Sequence, residues 1–170
     1  MTTVTSAEHQ VPTVRVRVEW LRVISLVLAV IGIGVAGYLS YTKATGTEVA
    51  CNAGNSGCEM ASESVYGYLP VSYDGIPVAY LGLGGYLTIF LALALEKRIP
   101  FLAKHSKKVV LGLTFVGFLF SGYLVAVQKF ILDSFCIWCM GSAVIMTALF
   151  AVSFVRMWRD LNAIPADEEA

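Results

Sequence analysis

Charged side chains are scarce in this 170-residue chain, at 14% of positions against 57% hydrophobic ones. Soluble domains average about 25% charged and roughly 45–50% apolar residues, so this chain lacks the polar surface needed to cover a soluble core. Net charge is missing too: twelve basic residues balance twelve acidic ones. That removes the bulk attraction on which nucleic-acid binding rests, and no nucleic-acid partner is expected. Disorder is also excluded, because it requires low hydrophobicity with high net charge. Tandem repeats and low-complexity tracts are absent. Histidine occurs only as His9 and His105.

Charge is missing altogether from four long runs, residues 23–41, 76–95, 109–128 and 134–155. A bilayer core takes roughly 20 apolar residues in a helix, and backbone facing lipid must satisfy its own hydrogen bonds. The sequence therefore reads as an all-α integral membrane protein, a four-transmembrane-helix bundle forming a single membrane domain over residues 1–170. Gly32, Gly34 and Gly37 in the first run, and Gly82, Gly84 and Gly85 in the second, are expected to let helices approach closely. A transporter would place charged or polar groups in its spans. These hold only Ser, Thr, Gln128 and tyrosines. The first run follows three arginines, but it exceeds the 7–15-residue core of a signal peptide and no A-x-A site follows it. It is expected to be a retained span.

Orientation follows from the basic residues, which stay on the cytoplasmic side of short loops. Ten of the twelve lysines and arginines flank one side, leaving Lys43 and Lys129 on the other. The expected product is a multi-pass protein of the cell (inner) membrane, surrounded by lipid. Its tails, 1–22 and 156–170, are cytoplasmic, and Trp20 and Trp158 lie at the inner boundary. The connection at 129–133 is then a short outer turn. The outer loop 42–75 is long: its Asn- and Gly-rich stretch 52–57 suits a flexible segment. Residues 58–68, with Tyr66 and Tyr68, suit a short amphipathic helix on the membrane. The tail segments 1–13 and 162–170 read as solvated.

This topology puts all four cysteines at the extracytoplasmic side, where disulfides form and persist. Cys51 and Cys58 lie in the long loop, and Cys136-Ile137-Trp138-Cys139 opens the fourth span. An i, i+3 pair shares a helix face at a separation compatible with a disulfide. A thiolate near a helix N-terminus is stabilised by the dipole and by unpaired N–H groups. Cys139 sits one turn, about 5.4 Å, deeper than Cys136. The pair is thus placed to pass electrons from an aqueous thiol to an acceptor dissolved in the bilayer, for which a quinone is the obvious candidate. Other readings use the same residues. One is a membrane scaffold or assembly factor with structural disulfides. A zinc site of four cysteines is another, although the six-residue spacer of the first pair is wider than the usual two to four; no metal is expected. A general base near the cysteines would come from Glu59, Glu63 or Asp133, each more often a solvated charge. Trp138, Tyr80 and Phe135 are candidates to line a quinone pocket, although outward-facing interfacial aromatics are commoner.

At these residues the sequence resembles the vitamin K epoxide reductase family, in its bacterial branch. The resemblance is carried by Cys51-x₆-Cys58, Ser64 six residues later, Gly75-Ile76-Pro77 with Gly82, and the Cys136–Cys139 motif. It extends from about residue 23 to 155. The DsbB type of oxidoreductase is similar in outline, but carries its C-x-x-C in the first outer loop. The resemblance implies that Cys136 and Cys139 form the quinone-proximal redox centre, with Cys139 nearest the quinone (ubiquinone or menaquinone). It implies that Cys51 and Cys58 form the shuttle pair, Cys51 meeting the partner thiol and Cys58 bonding transiently to Cys136. Ser64 matches a supporting position in the loop; read alone, it is a helix cap or surface hydroxyl. The implied activity is a quinone-dependent thiol-disulfide oxidoreductase supporting disulfide bond formation. Bacterial relatives often carry a fused thioredoxin-like domain; this chain has no room for one after Val155, which implies a separate thioredoxin-fold (DsbA-like) partner. Two positions depart from the vertebrate pattern. Ala143 stands where a tyrosine helps to hold vitamin K, and Val78 or a neighbour stands where an asparagine contributes, so a simple quinone is the expected acceptor rather than an epoxide.

Overall fold

The computed structural model describes residues 11–50, 58, 61, 63–69, 75–96, 100–134 and 136–162, with backbone alone at 11–19 and 100–106. Its four long helices are α1 (Val11–Thr45), α2 (Val78–Leu95), α3 (Pro100–Phe130) and α4 (Ile137–Asn162). Within them Trp20–Thr45, Val78–Leu95, Lys107–Phe130 and Ile137–Asn162 are long and apolar enough to cross a membrane. Val27, Leu91, Val116, Leu119 and Val144 are at least half exposed around the outside. Lipid solvates such side chains at no cost, so the interior need not collect every large apolar residue. The protein is an all-α, multi-pass membrane bundle.

The ends of the helices differ from the uncharged runs for local reasons. α1 continues past Tyr41, and there the hydroxyls bond back onto the helix: Thr42 donates to the Leu39 carbonyl (3.0 Å) and Thr45 to that of Tyr41 (2.9 Å). It stops at Gly46, whose φ of 64° is the left-handed geometry of a C-terminal cap. α2 begins at Val78 rather than residue 76. Ile76–Pro77 (β2) instead pairs antiparallel with Tyr68–Leu69 (β1), Tyr68 opposite Pro77, and Pro77 then supplies the fixed φ from which the helix starts. α4 begins at Ile137, leaving Ser134 and Cys136 in the connection. In the long loop the backbone is helical at Cys58, Ala61 and Glu63, and a 3₁₀ turn follows at Val65–Gly67. Tyr68 lies under the Lys43 ammonium, 5.1 Å from its ring centroid. The rest of the expected amphipathic helix, the stretch 52–57 and the tails 1–10 and 163–170 fall outside the described residues.

α1 packs chiefly against α2 and α4, and α3 chiefly against α4, so the α2–α3 seam is the looser one. Among the described residues Tyr86 is the largest fully buried side chain. A Cβ at Gly32 would stand 2.3 Å from its ring, so α1 and α2 can meet only where α1 has no side chain. The Tyr86 hydroxyl reaches across to α4, bonding to the Ser142 carbonyl (2.9 Å) and hydroxyl (3.0 Å). Gly117 plays the equivalent part on α3, against Met146 of α4. The expectation for the other glycines is corrected: Gly34, Gly37, Gly82, Gly84 and Gly85 have nothing within 4 Å of an added Cβ.

At the end of the bundle away from the cysteines, the Arg22 guanidinium donates to the Leu93 carbonyl (2.9 Å), satisfying an orphan acceptor in the last turn of α2. Glu96, immediately after α2, takes two hydrogen bonds from Arg156 of α4 (3.1 and 3.0 Å) and lies 3.7 Å from Arg22. Arg156 is only 4% exposed, so the sequence's reading of it as a flanking cation is refined to a buried tie between helices. Lys107 and Asp160 form a second, more exposed ion pair between α3 and α4.

Candidate functional site

The turn between α3 and α4 builds the first part of the site. Leu132 and Ser134 bond back to the Val127 and Gln128 carbonyls (3.1 and 3.2 Å), and Asp133 takes a φ of 45° between them. Aspartate accepts this left-handed geometry more readily than most side chains. The reversal returns the chain to Gln128, whose Oε1 accepts the Cys136 N–H at 3.1 Å. Gln128 is 5% exposed.

Cys136 is the N-cap of α4. Its carbonyl accepts the first helical bond, from Met140 (2.9 Å), and its sulfur accepts the Cys139 N–H at 3.3 Å. A capping serine or aspartate uses its oxygen in the same way. Hydrogen bonding from Cys139, together with N–H groups of the first turn, holds the Cys136 thiol down to about 7 against the upward push of burial. The position is that of an activated cysteine at a helix N-terminus. Cys136 and Cys139 are free thiols, whereas Cys58 is disulfide-bonded.

The long loop is fastened to the same motif. Trp138, between the two cysteines, donates its indole N–H to the Ala50 carbonyl (2.9 Å). The Ala50 N–H in turn donates to the Tyr38 hydroxyl of α1 (2.9 Å), and the Tyr38 and Trp138 rings meet at 4.8 Å. One peptide residue is thereby held from both sides. The residue that follows it is Cys51, which lies outside the described residues.

Cys58, Ser64, Cys136 and Cys139 all border one cavity of about 710 Å³. Its wall is mainly apolar and follows the loose α2–α3 seam past Gly82, Gly85 and Gly117. Polar atoms enter it from Gln128, Ser121, Tyr86 and Ser142, and Lys43, Glu48 and Glu63 stand at the loop side. Val78 and Ala143, the positions that depart from the vertebrate pattern, are both on this wall. The space is therefore apolar at the two places where the resemblance would have put amide and phenol groups.

Of the residues singled out from the sequence, three cysteines and Ser64 converge here. The Ser64 hydroxyl donates to the Ala61 carbonyl (3.1 Å) and makes no cap bond, so its work is local to the loop. Asp133 serves the turn, and Glu63 borders the cavity; Glu59 and Phe135 lie outside the described residues. Tyr80 and Trp138 are not on the cavity wall: Tyr80 is exposed and Trp138 is spent on the loop. Among the described residues no three His, Cys, Asp or Glu side chains converge as a metal site. The contacts missing from the sequence reading are those of Tyr38, Gln128, Tyr86 and Ser142. Each joins positions that only the folded chain brings together.

A model of the vitamin K epoxide reductase family matches residues 23–154, from early in α1 to late in α4. That span takes in the whole cavity wall, the loop and the C-x-x-C at the head of α4. By that match, the chain belongs to the vitamin K epoxide reductase family and is a membrane oxidoreductase.

Proposed function

We propose that this protein is a membrane thiol oxidase that passes electrons from a reduced dithiol protein through two cysteine pairs to a quinone. The observation that carries the reading is the shared cavity: a mainly apolar space of about 710 Å³ opens directly onto Cys58, Cys136 and Cys139. A pocket of this size falls in the usual range for a small-molecule site. Cys51 and Cys58 are the shuttle pair, and Cys51 exchanges with a separate thioredoxin-fold partner. Cys58 then passes the electrons to Cys136, and Cys139 is the sulfur nearest the quinone. Each cycle oxidises one partner dithiol to a disulfide, giving two electrons and two protons to one quinone as quinol. Both termini are cytoplasmic and the cysteines face the opposite side, in keeping with the positive-inside distribution of lysine and arginine. The apolar side chains of Val78 and Ala143 favour a plain quinone over an epoxide, which needs polar groups to assist ring opening. Ubiquinone and menaquinone both suit the space.

The test is anaerobic. The reduced, purified protein is freed of reductant and mixed with a soluble ubiquinone or menaquinone analogue, and quinone absorbance is followed beside a count of free thiols. The expected result is quinol formation matched to thiol loss, abolished in Cys136→Ala and Cys139→Ala. Intact thiols in the wild type, or unimpaired turnover in either variant, would overturn the relay.

A further inference from the structure

We propose that Ser142 is a catalytic residue of this relay, its hydroxyl bonded to an oxygen of the bound quinone, and that Tyr86 is the positioning residue that aims it. The inference rests on the thiol-oxidase reading above and concerns its quinone end. Cys139, Ser142, Ala143 and Met146 all border the cavity, and their spacing puts them on one face of α4. Ser142 follows Cys139 by about one turn, about 4.5 Å along the axis. A ring lying against the Cys139 sulfur therefore comes within reach of its hydroxyl.

Two hydrogen bonds set Ser142 apart. Hydroxyls inside helices commonly bond back to the carbonyl one turn earlier, and Thr88, Thr114 and Thr147 do so here at 2.8 Å each. Ser142 is paired across the bundle instead. Its hydroxyl lies 3.0 Å from that of Tyr86, and the Tyr86 hydroxyl donates to the Ser142 carbonyl at 2.9 Å. A tyrosine has one proton to give. With that proton committed to the carbonyl, the one between the two hydroxyls belongs to Ser142. Tyr86 stays anchored whether or not Ser142 faces it, being 1% exposed with its ring lodged against Gly32. Ser142 is thus the member of the pair that can turn its O–H into the cavity, exchanging one hydrogen bond for another.

The chemistry calls for such a group. In quinone reduction the Cys136 and Cys139 thiols give up two electrons and two protons, the Cys136–Cys139 bond forms, and both quinone carbonyls end as hydroxyls. Negative charge gathers on the carbonyl oxygens as the electrons arrive, inside a mainly apolar wall. A donor already aimed at one of them stabilises that charge. The product has the opposite need, because a quinol hydroxyl is a donor that requires an acceptor. A serine hydroxyl is one donor with two acceptor lone pairs. Ser142 therefore serves both the oxidised and the reduced ring, and turns back to Tyr86 when the cavity empties. Its own proton is shared and never given up.

The test compares wild type with Ser142→Ala and Tyr86→Phe in the full-length protein in lipid nanodiscs, with a short-chain ubiquinone carrying isotope-labelled carbonyls. Alanine leaves Tyr86 its bond to the backbone carbonyl, and phenylalanine keeps the ring against Gly32. Three quantities are read: the infrared stretching frequency of the bound quinone's carbonyls in the oxidised protein, the single-turnover rate of quinone reduction, and the rate at which dithiothreitol reduces the Cys136–Cys139 disulfide. In the wild type one carbonyl band is expected below its position in lipid alone. Ser142→Ala should return the band to that position and slow quinone reduction about ten- to hundredfold, as loss of a hydrogen bond to a charged group does. The dithiothreitol rate should not change. Tyr86→Phe frees the serine to bond back onto its own helix, and should move band and rate the same way by less. An unmoved band and rate in Ser142→Ala would overturn the inference and leave the relay standing. So would an equal loss in the dithiothreitol step, which is what damage to the fold predicts. Wild-type values in Tyr86→Phe would overturn its positioning role. A wild type that neither binds nor reduces quinone overturns the thiol-oxidase reading, and the inference with it.

Discussion

Cys136 carries the most specific chemical consequence. Its sulfur takes the place of a capping oxygen at the head of α4, and its thiol is held down to about 7. A free cysteine titrates near 8.5. Because the shift favours the thiolate, reactivity should rise as pH increases and be reached at a lower pH than for a free cysteine. Alkylation of the reduced protein, followed at the Cys136 peptide by mass spectrometry from pH 5 to 9, gives the profile directly. A midpoint near 8.5 would show that the cap does not activate this sulfur. The motif itself was legible in the sequence, since C-x-x-C at the start of an apolar run already implies a helix N-terminus. What holds it was not. Trp138 and Ala50 are 88 residues apart, and no local pattern pairs an indole with a particular carbonyl. Gln128 is close in sequence, but it meets Cys136 only because Asp133 turns the backbone through a left-handed step.

The four spans were legible because lipid demands long uncharged helices, and that demand is written in composition alone. Their ends were less so, being set by local features such as the left-handed Gly46 and the pairing of Ile76–Pro77. Glycine shows the limit most clearly. Six glycines in the first two spans look alike in sequence, yet only Gly32 meets a neighbouring side chain. Gly32→Ala should force the Tyr86 ring aside and cost roughly 1–3 kcal/mol, the usual penalty for overpacking. Gly85→Leu faces open space on the cavity wall, and should leave the unfolding temperature near that of the wild type. It should instead raise the KM for a quinone with an isoprenoid tail more than for a tail-less analogue. Thermal unfolding and paired quinone assays separate the two outcomes. Equal destabilisation by both substitutions would mean that the α2–α3 seam is closed.

The molecule is built differently at its two ends. Around the cysteines lie a cavity, a long loop and a loosely packed seam. At the other end Arg22, Glu96 and Arg156 join α1, α2 and α4 through buried ionic contacts. Along α3 the cavity wall runs from Gln128 to Gly112, about 24 Å at the helical rise. An unpaired buried charge typically costs about 3–5 kcal/mol, but Arg156→Met leaves Glu96 with Arg22 at 3.7 Å, so a smaller loss of stability is expected in denaturant titration, while the quinone rate per folded molecule stays close to the wild-type value. A matching fall in that rate would show that the tie also shapes the cavity.

The grip of Tyr38 and Trp138 on Ala50 makes the loop a tethered reagent. Seven residues separate Ala50 from Cys58, eight Cα steps with a contour of at most about 28 Å, and the near end is pinned to the residue between Cys136 and Cys139. A group held on a tether this short is presented at an effective concentration on the order of millimolar. Under the proposed relay, exchange between the two pairs would be unimolecular, independent of how much protein the membrane holds. A small thiol dissolved outside must approach that concentration before it can intercept the electrons.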